Sequence, residues 1–170
     1  KAAVSGESIF RPTYTGTGEL YLEPTAMGIH TMELNGESWI LENGSYYASE
    51  MGIEVDVHRE KALTAFKSGE GLVDFQTKIS GNGRVLVLAP GPVEEINLEN
   101  DRLVVDGKFA FARTASLNYS AEKATQSIIG SITSGEGMVR VYQGTGKVLM
   151  SPFMYYPARL LSSVSMMGAV

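Results

Sequence analysis

The sequence predicts an all-β fold made of tandem β-sandwich units related by internal duplication. Two observations predict it. A phrase combining Gly-Glu, an apolar run, Gly-x-Gly and a second apolar run occurs three times along the chain. Between the copies, apolar residues alternate with polar ones in runs of strand length bounded by Asn-Gly and Asp-Gly pairs.

The first copy runs from Gly6-Glu7-Ser8-Ile9-Phe10 to Gly16-Thr17-Gly18-Glu19-Leu20-Tyr21-Leu22. The second runs from Gly69-Glu70-Gly71-Leu72-Val73 to Gly81-Asn82-Gly83-Arg84-Val85-Leu86-Val87, and the third from Gly135-Glu136-Gly137-Met138-Val139 to Gly144-Thr145-Gly146-Lys147-Val148-Leu149-Met150. Their starts lie 63 and then 66 residues apart. This spacing divides the chain into repeat units at 1–58 and 59–121, with a partial, closing unit at 122–170. Glycine tolerates the positive φ of tight reversals, so each Gly-x-Gly is expected to turn a hairpin whose arms are the flanking apolar runs.

The match extends beyond the phrase. Met32-Glu33-Leu34-Asn35-Gly36 corresponds to Ile96-Asn97-Leu98-Glu99-Asn100, and Asn43-Gly44-Ser45-Tyr46 to Asp106-Gly107-Lys108-Phe109. Asn-Gly and Asp-Gly are strong hairpin signals. Ile53, Val55 and Val57 alternate with Glu54, Asp56 and His58, the pattern of a strand with one wet face. Phe109 and Phe111 alternate in the same way. Val85–Leu88 is apolar without alternation and reads as a strand covered on both sides. Arg59–Lys67 and Ser120–Ile132 are the two stretches with helical character, expected as short helical turns, the second with an N-cap at Ser120. Only twenty residues follow Met150, among them Pro152 and Pro157, so the third unit is expected to be capped, paired with the first unit or covered by another subunit. The apolar tail with Leu160, Leu161, Met166 and Met167, or the sheet edge beside it, is expected in a subunit interface, which makes the chain a homo-oligomer.

Composition narrows the function classes. With no cysteine among 170 residues, disulfide frameworks, thiolate metal sites and thiol nucleophiles are excluded. Fourteen basic against nineteen acidic residues give a net charge of −5, which repels phosphate backbones; nucleic acid is disfavoured without being excluded, and neither DNA nor RNA is expected as a partner. No apolar run approaches the ~20 residues of a membrane helix. Lys1-Ala2-Ala3-Val4 lacks the form of a signal peptide.

The residues carry no signature of catalysis, and no catalytic, cofactor-binding or metal-binding residue is assigned. His30 and His58 sit in no His-x-x-x-His spacing; His58 reads as a surface residue, and His30 has only Glu33 as a nearby carboxylate. Glu94 and Glu95 are adjacent on a strand and so face opposite sides. The Gly-x-Gly elements are each followed by an apolar strand rather than a helix, which removes the dinucleotide reading. The pairs Tyr46-Tyr47 and Tyr155-Tyr156 read as packing rather than base-stacking residues.

The phrases at 6–10, 68–73, 80–86, 104–107, 111–112, 134–139 and 144–148 together resemble the AIM24 family across nearly the whole chain. The resemblance implies a TRAP-like, double-stranded β-helix-like fold of three tandem β-sandwich units, each similar to a subunit of the tryptophan-binding RNA attenuator protein. It carries no catalytic motif. The function expected is that of a non-enzymatic scaffold or assembly protein acting through protein–protein association. The alternative, by fold analogy, is a small-molecule or RNA-binding module using clefts between repeats. The compartment expected is the cytoplasm, or the mitochondrion for a eukaryotic member.

Overall fold

Strand formation follows the apolar patterning. The computed structural model describes residues 11–59, 75–106, 109–123 and 138–152. They form β1 (Gly28–Leu41), β2 (Tyr46–Ser49), β3 (Ile53–Arg59), β4 (Phe75–Ala89), β5 (Glu94–Asp106), β6 (Ala110–Thr114), β7 (Asn118–Lys123) and β8 (Met138–Met150). All pairings are antiparallel, in one eight-stranded sheet ordered β2-β4-β1-β6-β8-β5, with β3 also on β4 and β7 also on β8. The all-β class is therefore as the sequence predicts.

The sheet folds back on itself. Leu41 lies opposite Thr77 and Tyr46 opposite Val87. Ten residues of straight strand would separate those partners by about 33 Å. The connection from Leu41 to Tyr46 spans about 17 Å at most. β4 must therefore curl between Thr77 and Val87, and Gly81-Asn82-Gly83 lies at the middle of that curl. On one side β4 pairs with β1 throughout; on the other it passes from β3, opposite 75–81, to β2, opposite 85–87. The two halves of the curled sheet enclose Met32, Leu34, Trp39, Leu41, Ile79, Val85 and Val87 in one sandwich-like core.

This corrects the hairpin reading of Gly-x-Gly. The motif sits inside one continuous strand, both in β4 and at Gly144-Thr145-Gly146 in β8. Gly81 and Gly83 adopt φ of 117° and 137°, an extended conformation of the mirror-image kind that bends the strand without reversing it. Gly81 also admits a neighbour: a Cβ there would stand 2.2 Å from the Gly52 carbonyl oxygen. Asn43-Gly44 is a turn, with Gly44 at φ 79°, but it carries the chain across β4 rather than between paired strands. At Asp106-Gly107 the second residue lies outside the described residues.

Strands β5–β8 repeat β1–β4 in register. Advancing β1–β3 by 64 positions and β4 by 63 turns Met32↔Val85 into Ile96↔Val148 and Trp39↔Ile79 into Leu103↔Tyr142. The same offsets turn Tyr46↔Val87 into Ala110↔Met150 and Val55↔Ile79 into Tyr119↔Tyr142. The irregularities repeat too. The register of β1 shifts between Asn35 and Ser38, with Gly36 at φ 93°; that of β5 shifts between Leu98 and Asp101, with Asn100 at φ 52°. Asparagine is among the few non-glycine residues that tolerate such a φ. Each shift changes which alternate residues face the core: Met32 and Leu34 before it, Trp39 and Leu41 after it. The second core holds Leu98, Val105, Ala110, Leu117, Tyr142 and Val148.

In this pairing β4, from the second sequence repeat, closes onto β1–β3 of the first, and β8 closes onto β5–β7. The corresponding first copy, Gly16 to Leu22, lies in a stretch from 11 to 27 that contains no strand. No helix occurs among the described residues. Ser120, expected to cap a helix, lies within β7: β-branched and aromatic neighbours pairing on β8 override a weak helical signal. Residues 60–67 and 124–132, the first two Gly-Glu phrases, Gly135–Gly137 of the third and the tail from 153 lie outside the described residues.

Candidate assembly interface

The two four-stranded modules meet where β1 pairs with β6, through Trp39↔Thr114, Ile40↔Arg113 and Leu41↔Ala112. Two further backbone bonds extend this ladder: the Glu42 amide donates to the Phe111 carbonyl at 2.9 Å, and the Ala115 amide to the Ser38 carbonyl at 2.8 Å. Trp39, Ile40, Leu41, Phe111 and Ala112 are all buried here.

A polar network seals the joint. Arg140 Nη1 lies 3.0 Å from Glu42 Oε1, and Gln76 Nε2 donates to the same oxygen at 2.8 Å. Arg113 Nη1 donates to Gln76 Oε1 at 3.1 Å. The Arg113 guanidinium stacks over Tyr119, 4.6 Å from the ring centre, and Tyr119 packs tilted against Tyr142 with ring centres 5.4 Å apart. Glu42 and Gln76 belong to the first module and the other four residues to the second. Buried charge is tolerated only when paired and hydrogen-bonded, so this network makes the joint specific in register. Burial works against the charge of Arg140, yet the Glu42 carboxylate beside it leaves its pKa above the ordinary arginine value. Burial pushes the Tyr142 hydroxyl up to about 12.

None of these six residues stood out for function in the sequence. A signal exists: Arg140 interrupts the apolar strand run Val139–Val141, and Arg113 ends the run Ala110–Ala112. A lone cation inside or at the end of such a run marks either an exposed edge or a buried pair.

The residues weighed for chemistry do not converge. His30 and Glu33 both lie on β1 three positions apart and therefore face opposite sides of the strand, so they do not form a ligand pair. His58, on β3, is half-buried opposite Gln76. Glu94 and Glu95 stand on β5, where Glu95 pairs with Lys147 at 2.9 Å. Tyr46 carries the Arg11 guanidinium over its ring, and the Tyr47 hydroxyl donates to the Glu23 carbonyl. Tyr155 and Tyr156 lie outside the described residues. Among the described residues no group of three or more His, Asp or Glu side chains is placed to hold a metal ion, and no helix is long and apolar enough to cross a membrane.

Fold and joint together define a duplicated antiparallel β module whose copies are joined edge to edge. The family model described as "Mitochondrial biogenesis AIM24" matches residues 1–153, and the chain belongs to that family. Among solved structures, it is similar to the crystal structure of a Streptococcus pyogenes protein determined by a structural-genomics consortium. The TM-score is 0.61 at 19% identity, over 82% of this chain and 59% of that one. This likeness shows the fold, and the chain spans about three fifths of the length of that relative. No curated protein matches the chain.

Proposed function

We propose that the chain is a non-enzymatic β-repeat assembly protein that acts by associating with other protein chains. One observation carries the reading. The Gly-x-Gly phrase that forms a fully paired long strand in β4 and β8 lies, in its first copy, in a stretch without strand. There Leu20, Tyr21 and Leu22 are exposed side by side, and Tyr14 with them. A contiguous exposed apolar segment of strand-forming sequence is a site for β-pairing with another chain. The cytoplasm, or the mitochondrion in a eukaryote, belongs to the same reading and is supported by the family description and the cysteine-free sequence.

Light scattering over a range of protein concentrations, with cross-linking to co-purified proteins, tests it. Association that weakens when Leu20 and Tyr21 are both replaced by serine is the expected result. A strict monomer that captures no partner, and is unaffected by the double substitution, contradicts it. Titrations with RNA and with free tryptophan are expected to be flat.

A further inference from the structure

Asn-Gly occurs three times in the chain, as Asn35-Gly36, Asn43-Gly44 and Asn82-Gly83. The dipeptide has a reactivity of its own. Glycine has no side chain to crowd its backbone nitrogen, so that nitrogen can reach the side-chain amide carbon of the preceding asparagine and close a five-membered ring. Ring closure requires the asparagine ψ to rotate out of the extended range of strands. The backbone on either side therefore decides which of three identical dipeptides reacts.

Two of the three are held by the sheet. Asn35 on β1 and Asn82 on β4 are ladder partners of each other. The Asn35 amide donates to the Glu37 carboxylate at 2.8 Å, and the Asn82 amide to the Gly52 carbonyl at 3.1 Å. A Cβ at Gly83 would stand 3.0 Å from the Glu50 carboxylate, so the chain following Asn82 is crowded as well.

Asn43-Gly44 stands outside the ladder. The Ser45 amide donates to the Glu42 carbonyl at 3.0 Å, which makes Glu42–Ser45 a β-turn with Asn43 and Gly44 at its centre and Gly44 at φ 79° in the third position. Both central residues are exposed, and a Cβ at Gly44 would meet nothing within 4 Å. The two ends of the turn are anchored to different strands. The Glu42 amide donates to the Phe111 carbonyl, and its carboxylate holds Arg140 and Gln76 across the joint. The Ser45 carbonyl accepts from the Leu88 amide of β4 at 2.7 Å.

We infer that Asn43 is a site of spontaneous deamidation, set in the turn that leads out of the module joint. The Gly44 nitrogen gives up its proton and attacks Cγ of Asn43; the bond from Cγ to the side-chain nitrogen breaks and ammonia leaves, giving a succinimide. Water then opens the ring at one carbonyl or the other and leaves aspartate or isoaspartate, with no oxidant and no cofactor. Either product places a new negative charge next to Glu42. Isoaspartate also inserts the side-chain methylene into the main chain between Glu42 and Ser45, which changes the spacing of the two anchors.

The three dipeptides are controls for one another. The folded chain and the chain unfolded in urea are incubated in mildly alkaline buffer, and deamidation at each asparagine is followed over time by peptide mapping and mass spectrometry. Isoaspartate is scored by methylation with an isoaspartate carboxyl methyltransferase. In urea the three sites are expected to react at similar rates. In the folded chain Asn43 is expected to outpace Asn35 and Asn82 by about fivefold or more, because each of those must first give up a hydrogen bond of the strand. The isoaspartate form, separated by anion exchange, is expected to unfold at a lower urea concentration than the Asn43→Asp variant, which carries the same charge on an unaltered backbone. Three outcomes overturn the inference. If all three sites react in urea and Asn43 is as slow as the other two in the folded chain, the turn protects its asparagine. If Asn35 or Asn82 reacts as fast as Asn43 in the folded chain, the sheet does not select the site. If the isoaspartate form and Asn43→Asp unfold alike, the modification does not reach the joint.

Discussion

The two modules share one register and solve the same packing problem with different residues. In the first, the pair Val55↔Ile79 joins β3 to β4 with aliphatic side chains. In the second, the equivalent pair is Tyr119↔Tyr142, with Arg113 stacked on one ring and Arg140 paired to Glu42 nearby. The backbone plan is thus set by strand lengths, register shifts and glycines, while the interior is free to be apolar or aromatic and cationic. The cations of the second module reach across the joint to Glu42 and Gln76 of the first.

The sharpest way to break the comparison is at the paired glycines. Gly81→Ala places a Cβ 2.2 Å from the Gly52 carbonyl, a backbone atom that cannot swing away. We expect a loss of about 3 kcal/mol or more, read by urea denaturation, or failure to fold. The equivalent Gly144→Ala meets nothing nearer than 3.8 Å. It carries only the strain of its positive φ, about 1–2 kcal/mol. At the second glycine of the motif the order reverses. Gly146→Ala meets Thr114 Oγ1 at 2.2 Å and Leu117 Cγ at 2.9 Å, whereas Gly83→Ala meets the flexible end of Glu50 at 3.0 Å.

The equivalent core leucines sharpen it next. Leu34→Ala and Leu98→Ala remove side chains that are 1% and 5% exposed at matching positions. Each is expected to cost about 2–5 kcal/mol, with similar values if the modules are equally well packed.

A smaller effect separates the modules by pH. The Tyr142 pKa is raised from 10.0 to about 12, chiefly by burial. Below pH 10 both folded and unfolded chains hold this proton; between 10 and 12 the unfolded chain loses it while the folded chain keeps it. Folding stability therefore falls as pH rises through that window, by about 3 kcal/mol from this residue. Tyr142→Phe is expected to flatten that part of the alkaline limb in denaturation measured from pH 9 to 12, while Ile79, its counterpart, contributes nothing there.

The smallest effect is at the surface. Lys147→Ala breaks the ion pair with Glu95, whose side chains are about half exposed, and is expected to cost about 0–1 kcal/mol.

Much of the fold was legible in the residues. The correspondence of Gly36 with Asn100 already marked a shared backbone feature, and it proved to be the register shift of β1 and β5. The alternation over Ile53–Val57 located β3, with Ile53 buried and Val55 and Val57 half-buried. The role of Gly-x-Gly is not legible locally because positive φ is a local property, whereas turn or bend depends on which strands lie alongside; Gly52 and Glu50, about thirty residues away, decide it. The unbroken apolar run Val85–Leu88 suggests cover on both sides; Val85 and Val87 are fully buried, Leu86 and Leu88 only half so. The joint was invisible in the sequence, because the pairing of β1 with β6 brings together residues more than seventy positions apart and no local pattern encodes it.

The direct test of the duplicated register is nuclear Overhauser contacts across the strands. Contacts linking Val55 to Ile79 and, in the same pattern, Tyr119 to Tyr142, with Asn35 close to Asn82, are the result expected of two continuous long strands flanked as described. Contacts between Ser80 and Arg84, closing a reversal at Gly81–Gly83, would contradict it.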